Sequence, residues 1–388
     1  MTCKTKFLMA FLSAALLVSC KNRSFGPGQS QPDSLLDPHR LPERGPWFEG
    51  WYLRITPADA NQRSFGVIVG SYLPRGELRR DAEATGLTGY ASIIDGGKKD
   101  SPLRSYEAFP KSTRMYLNRT DSVDRDPAPK SDASFRWVAE GIGELTERSV
   151  QLALPQSASI SIRLSEILPW NESGLGPEGY ISLFRAFPLH WFVYSLKSKA
   201  EYKVVLPSAD GLSAETVNGV GYAHYEKNWG VSFPPAYVWM QGYDEQQKRA
   251  IAIAGGRPLQ LGPAKPEAWL VGFRSGKTSI DFAPQNIGTV FQSEVDACQG
   301  RFQLTSSFLN KRLRVVAEAP RNTFGGIAIP NETGFVKDGS EQSFQTRIVA
   351  KLYEVMPFAP TGGGERLLEE AVFTNGALEF GSEFKCGK

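Results

Sequence analysis

Residues 157–167 read SASISIRLSEI. Ala158, Ile160, Ile162 and Leu164 alternate there with serines and Arg163. A side-chain period of two belongs to a strand with one face in a core and the other in water. The stretches RSFGVIVGSYL (63–73), RAIAIAGG (249–256), RLRVVAEA (312–319) and RIVAKLYEV (347–355) have the same character, and turn residues interrupt them at short intervals. The nearest thing to an amphipathic helix is GERLLEEAVF (364–373), which reads equally well as the approach to a strand GALEF (376–380). The expected fold class is therefore all-β and mainly antiparallel.

A weak internal repeat suggests how the strands are grouped. EGWYLRIT (49–56) is followed, after a polar turn, by RSFGVIVGS (63–71). AYVWMQGYD (236–244) is followed, after a polar turn, by KRAIAIAGG (248–256). Two tandem β-barrels or sandwiches of similar plan produce such a pattern. The chain of 388 residues is long for one domain and comfortable for two. Residues 43–200 and 201–388 are the expected N-terminal and C-terminal β domains, with a charged loop at 121–134.

The first residues read as an export signal. A basic start, MTCKTK, precedes FLMAFLSAALLV (7–18), an apolar run too short to span a bilayer. LVSC then ends at Cys20 and resembles a bacterial lipoprotein signal. On that reading residues 1–19 are removed and Cys20 is acylated, anchoring the chain to a membrane surface. Lys21 follows the cysteine where inner-membrane retention uses aspartate, so the expected location is the outer membrane. Residues 20–42, polar and rich in Pro, Gly and Ser, form the expected tether. Removal of Lys4 and Lys6 takes the formal charge from +3 to +1. A near-neutral chain without a basic patch gives no reason to expect a nucleic-acid partner. Once Cys3 is removed and Cys20 acylated, Cys298 and Cys386 remain in an oxidising compartment. A disulfide between them and two separate buried thiols both stay open.

Several familiar chemistries find no support. GFRSGK encloses three residues between Gly272 and Gly276, where a phosphate loop needs four, and it reads as a hairpin turning at 275–277. No G-x-S-x-G elbow occurs. His39, His190 and His224 are the only histidines, and neither they nor the cysteines have zinc-site spacing, so no metal is expected. What remains are three segments that crowd aromatic rings around polar groups: WFEGWYLR (47–54), FRAFPLHWFVYSL (184–196) and GYAHYEKNWGVSFPPAYVWMQG (221–242). Any one of them reads as core, but three in one chain suggest a lined cavity.

FEGWYLR (48–54) together with EKNWGVSFPPAYVWMQ (226–241) resembles the tocopherol cyclase family. FPLHWFVYSL, AIAIAGG, VGFRSGKTSIDF and RIVAKLYE extend the resemblance in order from Trp47 to about Gly381. The resemblance implies two lipocalin-like barrels in tandem and a reaction without redox change or cofactor. In that reaction a phenol oxygen of a prenylated hydroquinone adds across the nearest double bond of its isoprenoid tail. The chain departs from the family at Ala236, Tyr237 and Val238, where other aromatics are usual, and between Arg75 and Ser134. Both departures bear on substrate more than on fold.

Such a reaction needs a proton donor, a dry π-rich wall for the cation and a held phenol. Glu49, surrounded in sequence by Trp47, Phe48, Trp51 and Tyr52, is expected to be desolvated, raised in pKa and protonated. Glu226 is a second candidate acid, with Lys227 turned to the opposite face. His190 is expected to relay the phenol proton, and Asn228 and Gln241 to bind phenol oxygens. Trp51, Trp191, Trp229 and Trp239 are expected to face the cation, with Tyr52 and Tyr225 completing the wall. Alternation puts Glu49, Trp51 and Leu53 on one face and Phe48, Tyr52 and Arg54 on the other. The competing readings are a non-catalytic lipoprotein that carries an isoprenoid and a related hydratase in which water captures the cation.

Overall fold

The computed structural model describes residues 35–117, 133–183, 187–208, 213–258, 265–356 and 364–387. The export signal, Cys20, the first part of the tether and nearly all of the charged loop at 121–134 lie outside the described residues. The remainder is almost wholly β, as the alternation predicts, in two curled antiparallel sheets.

The first sheet contains β1 (Trp47–Pro57), β2 (Phe65–Leu73), β3 (Thr88–Asp95), β4 (Arg104–Ala108), β5 (Thr113–Leu117) and β6 (Phe135–Ala139). It continues with β7 (Gly143–Leu145), β8 (Ser149–Ala153), β9 (Ser159–Leu168), β10 (Leu189–Pro207) and β11 (Ala214–Gly230). Its order is β4-β3-β2-β1-β11-β10-β9-β8-β7-β6-β5. Thr113, at the start of the far edge strand, bridges back to Leu87 just ahead of β3, so the sheet curls upon itself. A short helix α1 (Arg79–Thr85), too brief to announce itself in sequence, lies between β2 and β3.

The second sheet contains β12 (Ala236–Asp244), β13 (Arg249–Arg257), β14 (Ala268–Arg274), β15 (Ser279–Phe282) and β16 (Val290–Asp296). It ends with β17 (Arg301–Phe308), β18 (Lys311–Glu318), β19 (Gly325–Pro330), β20 (Phe335–Met356) and β21 (Gly364–Ser382). The order is β15-β14-β13-β12-β21-β20-β18-β17-β16, with β19 on β20. Each sheet thus pairs its first strand with its second on one side and with its last on the other. The repeated sequence pair is β1–β2 in one sheet and β12–β13 in the other.

One open alternative is settled and two expectations resolve differently. GERLLEEAVF is strand, the first half of β21. The division expected at residue 200 falls inside β10, and the chain changes sheet only between Gly230 and Ala236. The return of β11 to β1 is a non-local pairing that no local signal carries. The described end of the tether is not free chain, because Leu35 and Leu36 are buried in the core of the first sheet.

Ile160, Ile162 and Leu164 point into that core while Ser161 and Arg163 are exposed, as the opening stretch requires. Each such aliphatic side chain contributes about 1.5–3 kcal/mol by leaving water. The second sheet has its own core around Val238, Met240, Ile251 and Phe273. Between the sheets lies a third apolar cluster that includes Tyr52, Trp170, Trp191, Val193, Trp239 and Phe344. This seam positions the candidate site.

Candidate functional site

Strands β1 and β11 form a two-faced wall. Their register sets Glu49 opposite Trp229, Trp51 opposite Lys227, Tyr52 opposite Glu226 and Arg54 opposite His224. Odd-numbered residues of both strands face the interior of the first sheet, and even-numbered residues face the seam.

On the interior face Glu49 is fully buried and its Oε1 lies 2.6 Å from the equally buried Lys227 Nζ. The His39 backbone N–H donates to both carboxylate oxygens, at 2.9 and 3.1 Å. Burial pushes Glu49 up, but the Lys227 ammonium and His39 together outweigh it and hold the carboxyl below its ordinary value. The expected neutral acid is therefore an ionised one. Burial and then Lys227 lower His39 to about 4, so its ring is neutral, and its Nδ1 lies 2.7 Å from Glu49 Oε1 and 2.9 Å from Lys227 Nζ. Lys227 also donates to the Asp37 carbonyl. The His39 ring stacks on Trp229 at 4.4 Å, and His190 stacks on Trp229 at 5.0 Å. Trp51 Nε1 donates to the Leu36 carbonyl at 2.9 Å, and Tyr225 to the Thr146 carbonyl at 3.0 Å. His190 Nδ1 lies 2.7 Å from Glu178, which also accepts the Trp191 backbone N–H. This face fastens residues 35–39 to the barrel as a strap.

The seam face holds a different set. Glu226 Oε2 accepts the Trp239 indole N–H at 2.9 Å and lies 2.8 Å from His224 Nε2. Tyr52 meets Trp239 edge to face at 5.1 Å, across from one sheet to the other. Arg54 joins the sheets by donating to the Gln241 side-chain oxygen at 2.8 Å and to the Asn375 carbonyl at 2.6 Å. It also lies over the Phe344 ring. Burial, offset in part by Tyr52, lowers Arg54 to about 10, which leaves it charged at neutral pH.

From the second sheet Glu379 reaches the same space. Tyr237 donates to its Oε1 at 2.8 Å and Gln342 Nε2 to its Oε2 at 2.9 Å. Burial first, with the nearby Glu226 charge adding, raises Glu379 to about 7 against the pull of the Tyr237 hydroxyl. Burial keeps the Tyr52 and Tyr237 phenols protonated far into alkali. Glu379 lies deep among protein atoms yet keeps some accessible surface. An open surface depression of about 790 Å³, lined by Ile142, Leu152, Ser161 and Lys203, lies elsewhere on the first sheet.

Several buried polar atoms on seam residues have no partner: His224 Nδ1, Trp191 Nε1, Gln342 Oε1 and Arg54 Nε. Leaving a buried donor or acceptor unsatisfied costs about 1–3 kcal/mol, so orphans gathered in one place describe unmet demand.

The expected site residues therefore fall into two groups. Tyr52, Trp191, Glu226, Trp239 and Gln241 meet at the seam, and Asn228 shares their strand face opposite Trp191. Glu49, Trp51, Tyr225, Trp229 and His190 belong to the first barrel and its strap. Lys227 does point away from Glu226, as alternation requires. Sequence reading missed Glu379, Gln342 and His224 at the seam and His39 in the strap. An acid inside the apolar run GALEF and a histidine two residues before Glu226 were the available signals. Cys298 and Cys386 form a disulfide across 88 residues, which resolves the open alternative.

A solved structure agrees with this architecture. A crystal structure of CghA superposes with a TM-score of 0.51 at 10% identity, covering 90% of this chain and 95% of that one. A putative AttH from Nitrosomonas europaea gives a TM-score of 0.47 at 8% identity, covering 92% and 98%. At so low an identity the likeness to CghA concerns the fold alone. No protein of curated function matches the sequence. The family model described as tocopherol cyclase-like matches residues 45–382, nearly all of the described chain, and the chain belongs to that family.

Proposed function

We propose that the protein is an acid–base cyclase that closes an oxygen ring on a prenylated phenol held in the seam. The observation that carries this reading is the meeting of Glu379 and Glu226, from different sheets, among Tyr52, Trp191 and Trp239. Glu379, raised to about 7 by burial, is suited to give a proton near neutral pH, and Glu226 lies near enough to take part in its return.

The Glu379 carboxyl gives its proton to the less substituted carbon of the tail's nearest double bond, and the π pair becomes the new C–H bond. The tertiary cation is stabilised by the faces of the surrounding rings and is kept from water by burial. The phenol oxygen forms the C–O bond, and its proton leaves toward Glu226. Substrate and product have the same composition, so no oxidant or reductant enters. Convergent acids support chemistry over simple carriage, since a storage cavity needs none. The reading extends to location: an acyl chain on Cys20 holds the enzyme at an outer-membrane surface, where an isoprenoid substrate partitions.

The test is mass spectrometry of a prenylated hydroquinone after incubation with the purified protein at pH 6. A new isomer of unchanged mass is expected, and Glu379→Gln is expected to slow its formation by about 10²–10⁴-fold. A product heavier by one water assigns the hydratase reaction instead. No product at all from the wild-type protein defeats the cyclase reading.

A further inference from the structure

His224 has no role in the chemistry just described, yet it is built into its centre. Its ring is 2% exposed. It meets Trp239 edge-on at 5.9 Å. It lies opposite Arg54 of β1, on the seam side of β11. The Trp239 indole can only donate, so Glu226 Oε2 is an acceptor there, and the imidazole Nε2–H completes the pair of donors on that oxygen. With Nε2–H donating to Glu226, the neutral imidazole carries its lone pair at Nδ1. That atom is buried and has no partner. A histidine held by a carboxylate through one nitrogen, with the other buried and without a partner, is a built acceptor for a ligand hydroxyl.

We infer that His224 Nδ1 receives the substrate hydroxyl and, as the C–O bond forms, relays its proton through Nε2 to Glu226. The phenol O–H bond breaks as Nδ1–H forms, and Nε2–H breaks as the Glu226 O–H forms. The proton given to the alkene and the proton taken from the phenol therefore pass through different carboxyl groups. This inference rests on the cyclase reading and adds a specificity rule: a free hydroxyl on the ring is required for tight binding, because an ether leaves Nδ1 unpaired.

The experiment compares binding of an ortho-geranyl phenol and of its O-methyl ether by tryptophan fluorescence, without turnover, on wild type, His224→Gln and His224→Asn. The glutamine amide keeps the bond to Glu226 but offers nothing at the Nδ1 position, whereas the asparagine oxygen replaces Nδ1. Wild type is expected to favour the phenol by about tenfold. His224→Gln is expected to bind both probes as wild type binds the ether, which also shows that it is folded, and His224→Asn to regain part of the preference. Retained preference in His224→Gln overturns this inference alone. If that variant binds neither probe, His224→Asn decides the matter, and absence of any preference there overturns the inference. Wild type that binds neither probe overturns the cyclase reading as well.

Discussion

Glu49 and Glu379 are the same residue type in similarly enclosed places, and their neighbours send their protons in opposite directions. Beside an ammonium, Glu49 is held ionised. Beside a phenol, an amide and another carboxylate, Glu379 is raised to about 7. The stability consequences have opposite signs. The Glu49 contribution is present above the ordinary carboxylate range and is lost on acidification through its lowered pKa. The raised Glu379 disfavours folding progressively as pH climbs from the ordinary range through about 7. Urea unfolding at pH 5 and pH 8 is expected to show that alkaline loss in the wild type and less of it in Glu379→Gln. Turnover is expected to decline through the same interval, since only the protonated Glu379 donates. Lys227→Met alone leaves the Glu49 charge buried and unpaired and is expected to cost about 3–5 kcal/mol. Adding Glu49→Leu is expected to recover most of it. The crowding of aromatics around Glu49 was legible in sequence, and so was its burial. Its partners were not, because Lys227 arrives through strand register and His39 through a chain reversal, neither of which leaves a local trace.

At the scale of elements, alternation carried most of the information. It identified the strands, the hairpin at 275–277 and the two faces of β1. It could not decide β21, where GERLLEEAVF has charges on both faces because much of that half of the strand is exposed. The strap was harder still. Residues 35–42 are turn-rich and polar, and only Leu35-Leu36 marks the point at which they enter the core. Leu36→Ala is expected to lower unfolding stability by about 2–5 kcal/mol, measured in urea, because the lost side chain leaves a cavity in the core of the first sheet. The seam residues fared according to their strands. Those on β10, β11 and β12 lay in aromatic motifs that drew attention. Glu379 and Gln342 sat in ordinary-looking strands and became visible only when β20 and β21 were paired beside β12.

Over the whole molecule, the tandem plan was faintly readable in the β1–β2 and β12–β13 repeat, while the packing of one unit on the other was not. Arg54 shows why: its partners Gln241 and Asn375 are 187 and 321 residues away. The disulfide ties the chain beyond β21 to the turn after β16, across 88 residues. In the chain-entropy account, closing a loop of that size gives about 4–5 kcal/mol. The double substitution Cys298→Ser, Cys386→Ser is expected to lower the urea midpoint accordingly, and seam binding is expected to persist wherever the fold does.

The shared wall of β1 and β11 has one more consequence. Any displacement of the strap is passed through His39 and the Asp37 carbonyl to Glu49 and Lys227. Those residues alternate along the same two backbones with Tyr52, Arg54, His224 and Glu226. Moving one side of so thin a partition displaces the other, so the spacing of the seam groups depends on how the strap is seated.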